Sequence, residues 1–179
     1  MRDVTGVEDL LRQSGYQDFC WLAGAQLPVC QWVRFKCRYG CPNYGQLATC
    51  PPEVPTLDAC REFFGEYGHV AVIRLSACVS GLAEDAQWNR QVSQDLLALE
   101  RAVFLAGFPK ALVLFPGPCR LCEICTGDRK TCRRPADVRP SPEALGVDLF
   151  GAVRLAGYDL RILQDTDQPM ARFAFLLVA

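Results

Sequence analysis

The stretch PGPCRLCEICTGDRKTCRRP, residues 116–135, carries four closely spaced cysteines. They are Cys119, Cys122, Cys125 and Cys132, in the pattern C-x2-C-x2-C-x6-C. Thiolates spaced two residues apart suit a [4Fe-4S] cluster, because each thiolate binds a different iron at a different corner. A single zinc ion needs four ligands around one centre, which proteins usually supply as two separated C-x2-C pairs. The spacing therefore favours an iron–sulfur cluster over zinc, and a disulfide-rich loop is the remaining alternative.

A second cysteine group lies earlier, in KCRYGCPNYGQLATCPPEVPT, residues 36–56. Cys37, Cys41 and Cys50 form the pattern C-x3-C-x8-C, and the surrounding glycines and prolines predict a compact loop. The group has no fourth thiolate. Three alternatives stay open. The cysteines hold a second [4Fe-4S] cluster with an open or exogenously ligated iron, a distant residue such as Cys132 completes the set, or all three are buried packing residues.

Composition and net charge indicate the cellular compartment and exclude some classes of binding partner. Eleven cysteines in a chain whose N-terminus lacks an apolar leader indicate a reducing, cytoplasmic location, where clustered thiols are more often metal ligands than disulfides. A net charge of −1 gives no reason to expect a nucleic acid or an anionic membrane as partner. The single histidine, His69, argues against a Cys/His metal site, and we expect it to be structural.

Local patterns predict an alternation of helices and strands. Helices are expected at residues 4–14, after Thr56, at 83–106 and at 141–157. Extended segments are expected at residues 29–35, 69–79, 110–117, 159–163 and 172–179. The segment 110–117 leads directly into Cys119, and metal sites of α/β folds collect at the carboxyl ends of strands. We therefore predict a single α/β domain over residues 1–179, with a mixed β-sheet flanked by helices and two cysteine-rich metal-binding loops.

Both cysteine loops together resemble a known family. The sequence is similar to the predicted metal-binding proteins of anaerobic bacteria and archaea, a domain of unknown function. The matching stretches are KCRYGCPNYGQLATCPP (36–52), ERAVFLAGFPKA (100–111), GPCRLCEICTGDRKTCRRP (117–135) and RPSPEALGVDLF (139–150). The resemblance implies metal binding through the seven cysteines of the two loops and implies no particular activity. Cys20, Cys30, Cys60 and Cys78 lie outside these stretches and receive no role from it.

The cysteine loops support several functional hypotheses. In the first, Cys119, Cys122, Cys125 and Cys132 ligate one cluster fully, and the protein carries electrons to a redox partner. Arginines of that loop then offset cluster charge, dock an acidic partner or form a solvated rim; they are Arg120, Arg129, Arg133 and Arg134.

In the second hypothesis, an open iron held by Cys37, Cys41 and Cys50 polarises a small-molecule substrate. Tyr39, Asn43 and Tyr44 then position that substrate or serve only the turn. Radical chemistry with S-adenosylmethionine is a weaker option, because the spacing differs from C-x3-C-x2-C. A structural zinc module that binds another protein is the remaining alternative.

Overall fold

The computed structural model describes residues 3–77, 81–160 and 170–179. Within these ranges the chain forms five α-helices and four strands. The helices are α1 (Thr5–Gln13), α2 (Gln31–Gly40), α3 (Leu57–Gly65), α4 (Leu82–Leu105) and α5 (Leu149–Leu155). The strands are β1 (Phe19–Leu22), β2 (Val70–Ala77), β3 (Leu112–Leu114) and β4 (Met170–Leu177). Single 3-10 turns lie at Gly24–Gln26 and Glu143–Leu145.

The sheet has the order β1-β2-β4-β3. Its centre is the long β2–β4 pair, in which Val70 lies opposite Leu177 and Ala77 lies opposite Met170. The α/β class and the flanking helices are confirmed. Every pairing among the described strands is antiparallel, although the alternation of elements favoured a mixed sheet. Among the described strands, the two short ones, β1 and β3, lie at the edges of the sheet.

Alternating side chains bury both faces of this sheet. Val70 and Val72 pack in one core cluster with residues of α3 and α5. Ala71 and Ile73 pack in a second cluster with residues of α1 and α4. The period of two along β2 thus separates two cores and produces three layers. Among the described residues, no helix combines the length and the apolar character needed to cross a membrane.

The strongest local signals are confirmed. Thr56 caps α3, since its hydroxyl accepts a hydrogen bond from the Ala59 amide at 3.3 Å. Cys60 on that helix is 1 % exposed and packs in the core, as expected. His69 bonds the chain terminus through its backbone and stacks edge-on against Trp21, which is a structural role. Cys78 lies outside the described residues.

Two predicted elements are wrong in type or extent. Residues 29–35 do not form an extended segment, because the helix α2 begins at Gln31. In this helix Val33 is buried while Phe35 is 53 % exposed. The helix predicted for 141–157 is interrupted at Gly146, whose φ of +85° is the left-handed conformation that glycine adopts readily. Asp148 then caps the separate helix α5.

Two further segments, residues 19–22 and 159–163, also differ from the expectation or lie mostly outside the described residues. The strand β1 was not predicted, since four residues with partial burial give a weak periodic signal. The strand predicted at 159–163 lies mostly outside the described residues, and its described part, residues 159 and 160, has no strand structure.

Candidate metal centres

The first cysteine group is built from a helix end and a turn. Cys37 lies in the last turn of α2 and Cys41 is the C-cap, so the two are four residues apart on one helical face. Cys37 therefore belongs to a helix, although the sequence suggested a loop. Cys50 follows a tight turn in which its own amide donates to the Leu47 carbonyl at 3.0 Å. The three thiols line one cavity of about 180 Å³, which we call the open site.

Burial and proximity both act on these thiols. Burial, with smaller contributions from the neighbouring Cys41 and Cys37, raises the pKa of Cys50 to about 11. Burial also raises the pKa of Cys37, again with a contribution from Cys41. These mutual effects mean that the three sulfurs lie close enough to repel one another as thiolates. Binding a metal here must therefore release protons, and the metal's charge must replace them.

The second cysteine group lies in a segment that has no helix or strand of its own. Cys119, Cys122, Cys125 and Cys132 line a cavity of only about 20 Å³, which we call the closed site. Burial raises the pKa of Cys119, a backbone hydrogen bond at Leu121 lowers it, and the other three cysteines raise it. Since a water needs roughly 10–15 Å³ of such space, the thiols as they lie leave room for about one small group, and a cluster there requires the cysteine side chains to move apart.

Strand β3 connects the sheet to both sites. After Phe115, which is fully buried, the chain passes through Gly117 and Pro118, which line the open site, to Cys119 of the closed site. Gly117 packs closely, because a Cβ there would approach Asn89 Nδ2 to 3.0 Å. The edge strand thus delivers the chain to both groups of thiols within five residues.

The two cysteine loops also contact each other directly. The Ala48 amide donates to Cys125 Sγ at 3.5 Å, and the Arg129 amide donates to Glu53 Oε2 at 3.3 Å. Thr49, which precedes Cys50, lines the closed site. The structure therefore brings the two groups of thiols together as neighbours.

The metal-ligand role of the seven cysteines stays a prediction. The ten cysteines within residues 3–77, 81–160 and 170–179 are free thiols, so no disulfide forms there. Over the same ranges, no set of three or more Cys, His, Asp or Glu side chains meets the geometry of a ready metal-ion site. Cys132 lies with its own group at the closed site, away from the lining of the open one.

A large apolar groove adjoins the open site. Its cavity measures about 850 Å³ and shares Cys37, Cys41 and Glu143 with that site. Aromatic side chains form much of its wall; they are Trp32, Phe35, Tyr39 and Phe150. All four are at least 40 % exposed, which is unusual for large apolar residues clustered beside a cavity. Of the predicted positioning residues, Tyr39 lies in the groove, while Asn43 and Tyr44 line the open site itself.

The four arginines that the sequence places around the closed-site loop make different contacts. Arg120 reaches across to Asn43 at 3.5 Å and lowers the pKa of Cys50. Arg134 lines the closed site and pairs with Asp137 at 2.9 Å. Arg129 bonds the Pro135 carbonyl at 2.9 Å, and Arg133 is exposed. Only some of these arginines therefore face the thiols.

Glu143 is a site residue that the sequence did not reveal, because Ser141, Pro142 and Glu143 suggested only a helix start. Its carboxylate lies where the open site meets the groove. Burial raises the pKa of Glu143, partly offset by its own backbone amide, the Ser141 hydroxyl and Arg172. The Oε2 atom is buried and has no hydrogen-bond partner among the described residues.

Comparisons with known proteins give one match. A family model described as "Predicted metal-binding protein (DUF2284)" matches residues 20–178. No curated protein and no solved structure matches the chain. The matched range includes both cysteine groups, the groove and all of the sheet except Phe19, the first residue of β1.

Proposed function

Because the chain belongs to this family of predicted metal-binding proteins, we propose that it is an iron–sulfur protein with one [4Fe-4S] cluster at each group of cysteines. The donor set supports this choice, because all seven candidate ligands are thiolates, which select iron–sulfur clusters, zinc or copper(I) over hard cations. The C-x2-C-x2-C spacing of the closed site favours the cluster among these.

The two sites have different roles in this proposal. The closed site has a complete set of four thiolates and a lining that includes Leu121 and Val138, so it suits electron storage and transfer. The open site has three thiolates and leads into the groove, so it suits the binding of a small molecule. When bound there, a cluster supplies a Lewis-acidic iron without a cysteine ligand.

One observation carries the assignment of substrate binding to the open site. Its cavity of about 180 Å³ is continuous in lining with the groove of about 850 Å³. The side chains around this space divide by chemistry. Trp32 and Phe35 offer an apolar wall, whereas Asn43 and Tyr44 offer polar groups beside the thiols. This division fits a substrate with an apolar body and a thiolate, sulfide or hydroxy-acid head.

Contacts between the loops support electron transfer from one site to the other. The Ala48 amide, two residues before Cys50, donates to Cys125 Sγ of the closed site. A backbone donor to a cysteine sulfur stabilises the more negative, reduced state of a cluster and so raises its reduction potential. The same contact makes the two groups of thiols neighbours, which supports electron exchange between a cluster at the closed site and one at the open site.

A structural zinc ion at the closed site is the second candidate. The small cavity of about 20 Å³ favours it, because one ion needs less room than a cluster. In that case the protein is an interaction module, and the preparation is colourless.

Metal and sulfide analysis of anaerobically purified protein tests both candidates. Two clusters require about eight iron atoms and about eight acid-labile sulfides per chain, and Cys37→Ser and Cys119→Ser each lose about half of them. Cys30→Ser is the matched control, because Cys30 is partly buried and lines neither site. Zinc without sulfide, or full iron in both variants, contradicts the proposal.

A further inference from the structure

The carboxylate of Glu143 occupies a position that no other acid shares. Among the described residues, it is the one acidic side chain that lines both the open site and the groove. It therefore lies beside Cys37 and Cys41, which also line both cavities, where a molecule in the groove reaches the open site.

One oxygen of this carboxylate lacks a partner. Glu143 Oε2 is buried, and no described residue hydrogen-bonds to it. A buried polar atom left unpaired costs stability, so native structures almost always provide a partner. Arg172, the cation that lowers the pKa of Glu143, pairs with Asp85 and lies 5.2 Å from the centroid of the Trp88 ring, and its own Nε also lacks a hydrogen-bond partner among the described residues.

The backbone holds Glu143 against the helix that carries the thiols. The Ala144 amide donates to Ser141 Oγ at 3.2 Å, and the Gly146 amide donates to the Glu143 carbonyl at 2.9 Å. Gly146 in turn contacts the start of α2, because the amide of Cys30, the N-cap of that helix, donates to the Gly146 carbonyl at 2.8 Å. The short turn is therefore fixed relative to Cys37, and the Glu143 charge acts on that thiol.

We propose that Glu143 is the fourth protein ligand of the open site, binding through oxygen the iron that Cys37, Cys41 and Cys50 leave without a thiolate. This inference rests on the proposed cluster at that site. A carboxylate is a harder ligand than a thiolate and binds iron less tightly in a sulfur-rich site. A substrate entering from the groove therefore meets the one ligand that it is able to displace.

Isosteric replacement tests this ligand. Glu143→Gln keeps the shape and removes the anionic oxygen, while Glu143→Cys replaces it with a thiolate. Glu123→Gln is the control, because Glu123 is an exposed carboxylate in the other cysteine loop. Each full-length protein is prepared anaerobically with 57Fe and studied by Mössbauer spectroscopy, by EPR after mild oxidation and by the rate of iron loss to a chelator.

The proposal predicts a distinct iron with an oxygen ligand in the wild-type spectrum. In Glu143→Gln that iron leaves about tenfold faster, and oxidation gives a stronger [3Fe-4S] EPR signal. In Glu143→Cys the distinct iron takes on the spectrum of the others. Glu123→Gln behaves as the wild type does.

Two failures are distinguishable. If the wild-type protein contains no sulfide-bound iron, the proposed function itself is wrong. If the clusters are present but Glu143→Gln matches the wild type in iron loss and spectrum, the ligand assignment alone is wrong. Should Glu143→Gln fail to fold, Glu143→Cys decides, since an unchanged spectrum for its distinct iron contradicts the assignment.

Discussion

The open and closed sites contain the same kind of donor in opposite surroundings. The three thiols of the open site lie on a helix end and a turn, beside an aromatic groove. The four thiols of the closed site lie in a segment without helix or strand, around a cavity nine times smaller than that of the open site (180 against 20 Å³). We propose that the scaffold around the sulfurs, more than their number, separates a site that admits ligands from one that excludes them.

Loss of a ligand is expected to destabilise the closed site far more than the open one. Residues 116–135 have no backbone ladder to hold them, so under the proposed function the folding of this segment depends on the metal that its four thiols bind. We expect Cys119→Ser to lower the free energy of unfolding by about 5 kcal/mol, a loss typical of a removed structural metal. Cys37→Ser, supported by α2, costs about 2 kcal/mol. Anaerobic denaturant unfolding measures the free energy of unfolding of both variants. Equal losses would contradict the claim that the closed site depends more on its ligands than the open site does.

An ion pair anchors the end of the closed-site loop. Arg139 donates to Glu100 through Nε at 3.0 Å and Nη2 at 2.5 Å, and both side chains are less than one-fifth exposed. Arg139→Ala leaves a buried carboxylate and costs about 3 kcal/mol.

The exposed pair of Arg74 with Asp18 is the matched control for this bridge, since it lines neither cysteine site. Arg74→Ala is expected to cost less than about 1 kcal/mol, because solvent screens the charges. Thermal or denaturant unfolding of the two variants gives the comparison. An equal effect of the two variants would show that the buried pair does not anchor the loop.

The turn behind the open site depends on Gly146. A Cβ there would lie 2.2 Å from Leu57 Cδ2, at a φ of +85°. We expect Gly146→Ala to cost about 2 kcal/mol, from the disfavoured backbone and the clash together. Gly157 has a similar φ of +86° but open space around it, so Gly157→Ala costs about 1 kcal/mol. If denaturant unfolding gives the same loss of stability for both variants, the clash with Leu57 does not contribute to the cost.

The smallest effect concerns the groove. Phe35→Ala removes part of the aromatic wall and is expected to weaken binding of phenylmethanethiol about tenfold, or about 1.4 kcal/mol. Stability stays within about 0.5 kcal/mol, since the ring is half exposed. Phe104→Ala is the control, because Phe104 on α4 is 52 % exposed against 53 % for Phe35 and lies outside the groove. Spectral titration measures the affinities of the two variants. Equal affinities would show that the groove does not contribute to ligand binding at the open site.

The sequence predicts best what local chemistry determines. Thr56 at the start of α3, the core position of Cys60 and the strand leading into Cys119 follow from caps, periodicity and punctuation by glycine and proline. The patterns also group the cysteines by spacing, and each predicted group lines one cavity.

What the sequence did not reveal depends on contacts between distant segments. The end of the extended chain at Cys30 and the break at Gly146 are tied together by the Val29–Val147 bridge. The exposure of Phe35 depends on a groove whose other wall comes from α5. Glu143 lines the open site because that same junction holds its turn beside α2, so no spacing rule identifies it.

The most direct test of the account is a Mössbauer titration of 57Fe-labelled protein with ethanethiol. The account predicts that about one iron in eight changes its spectrum, that Cys119→Ser retains this response, and that Cys37→Ser loses it. A wild-type protein whose iron spectrum does not respond to the thiol, or a response that survives in Cys37→Ser, would contradict the distinction between an open and a closed site.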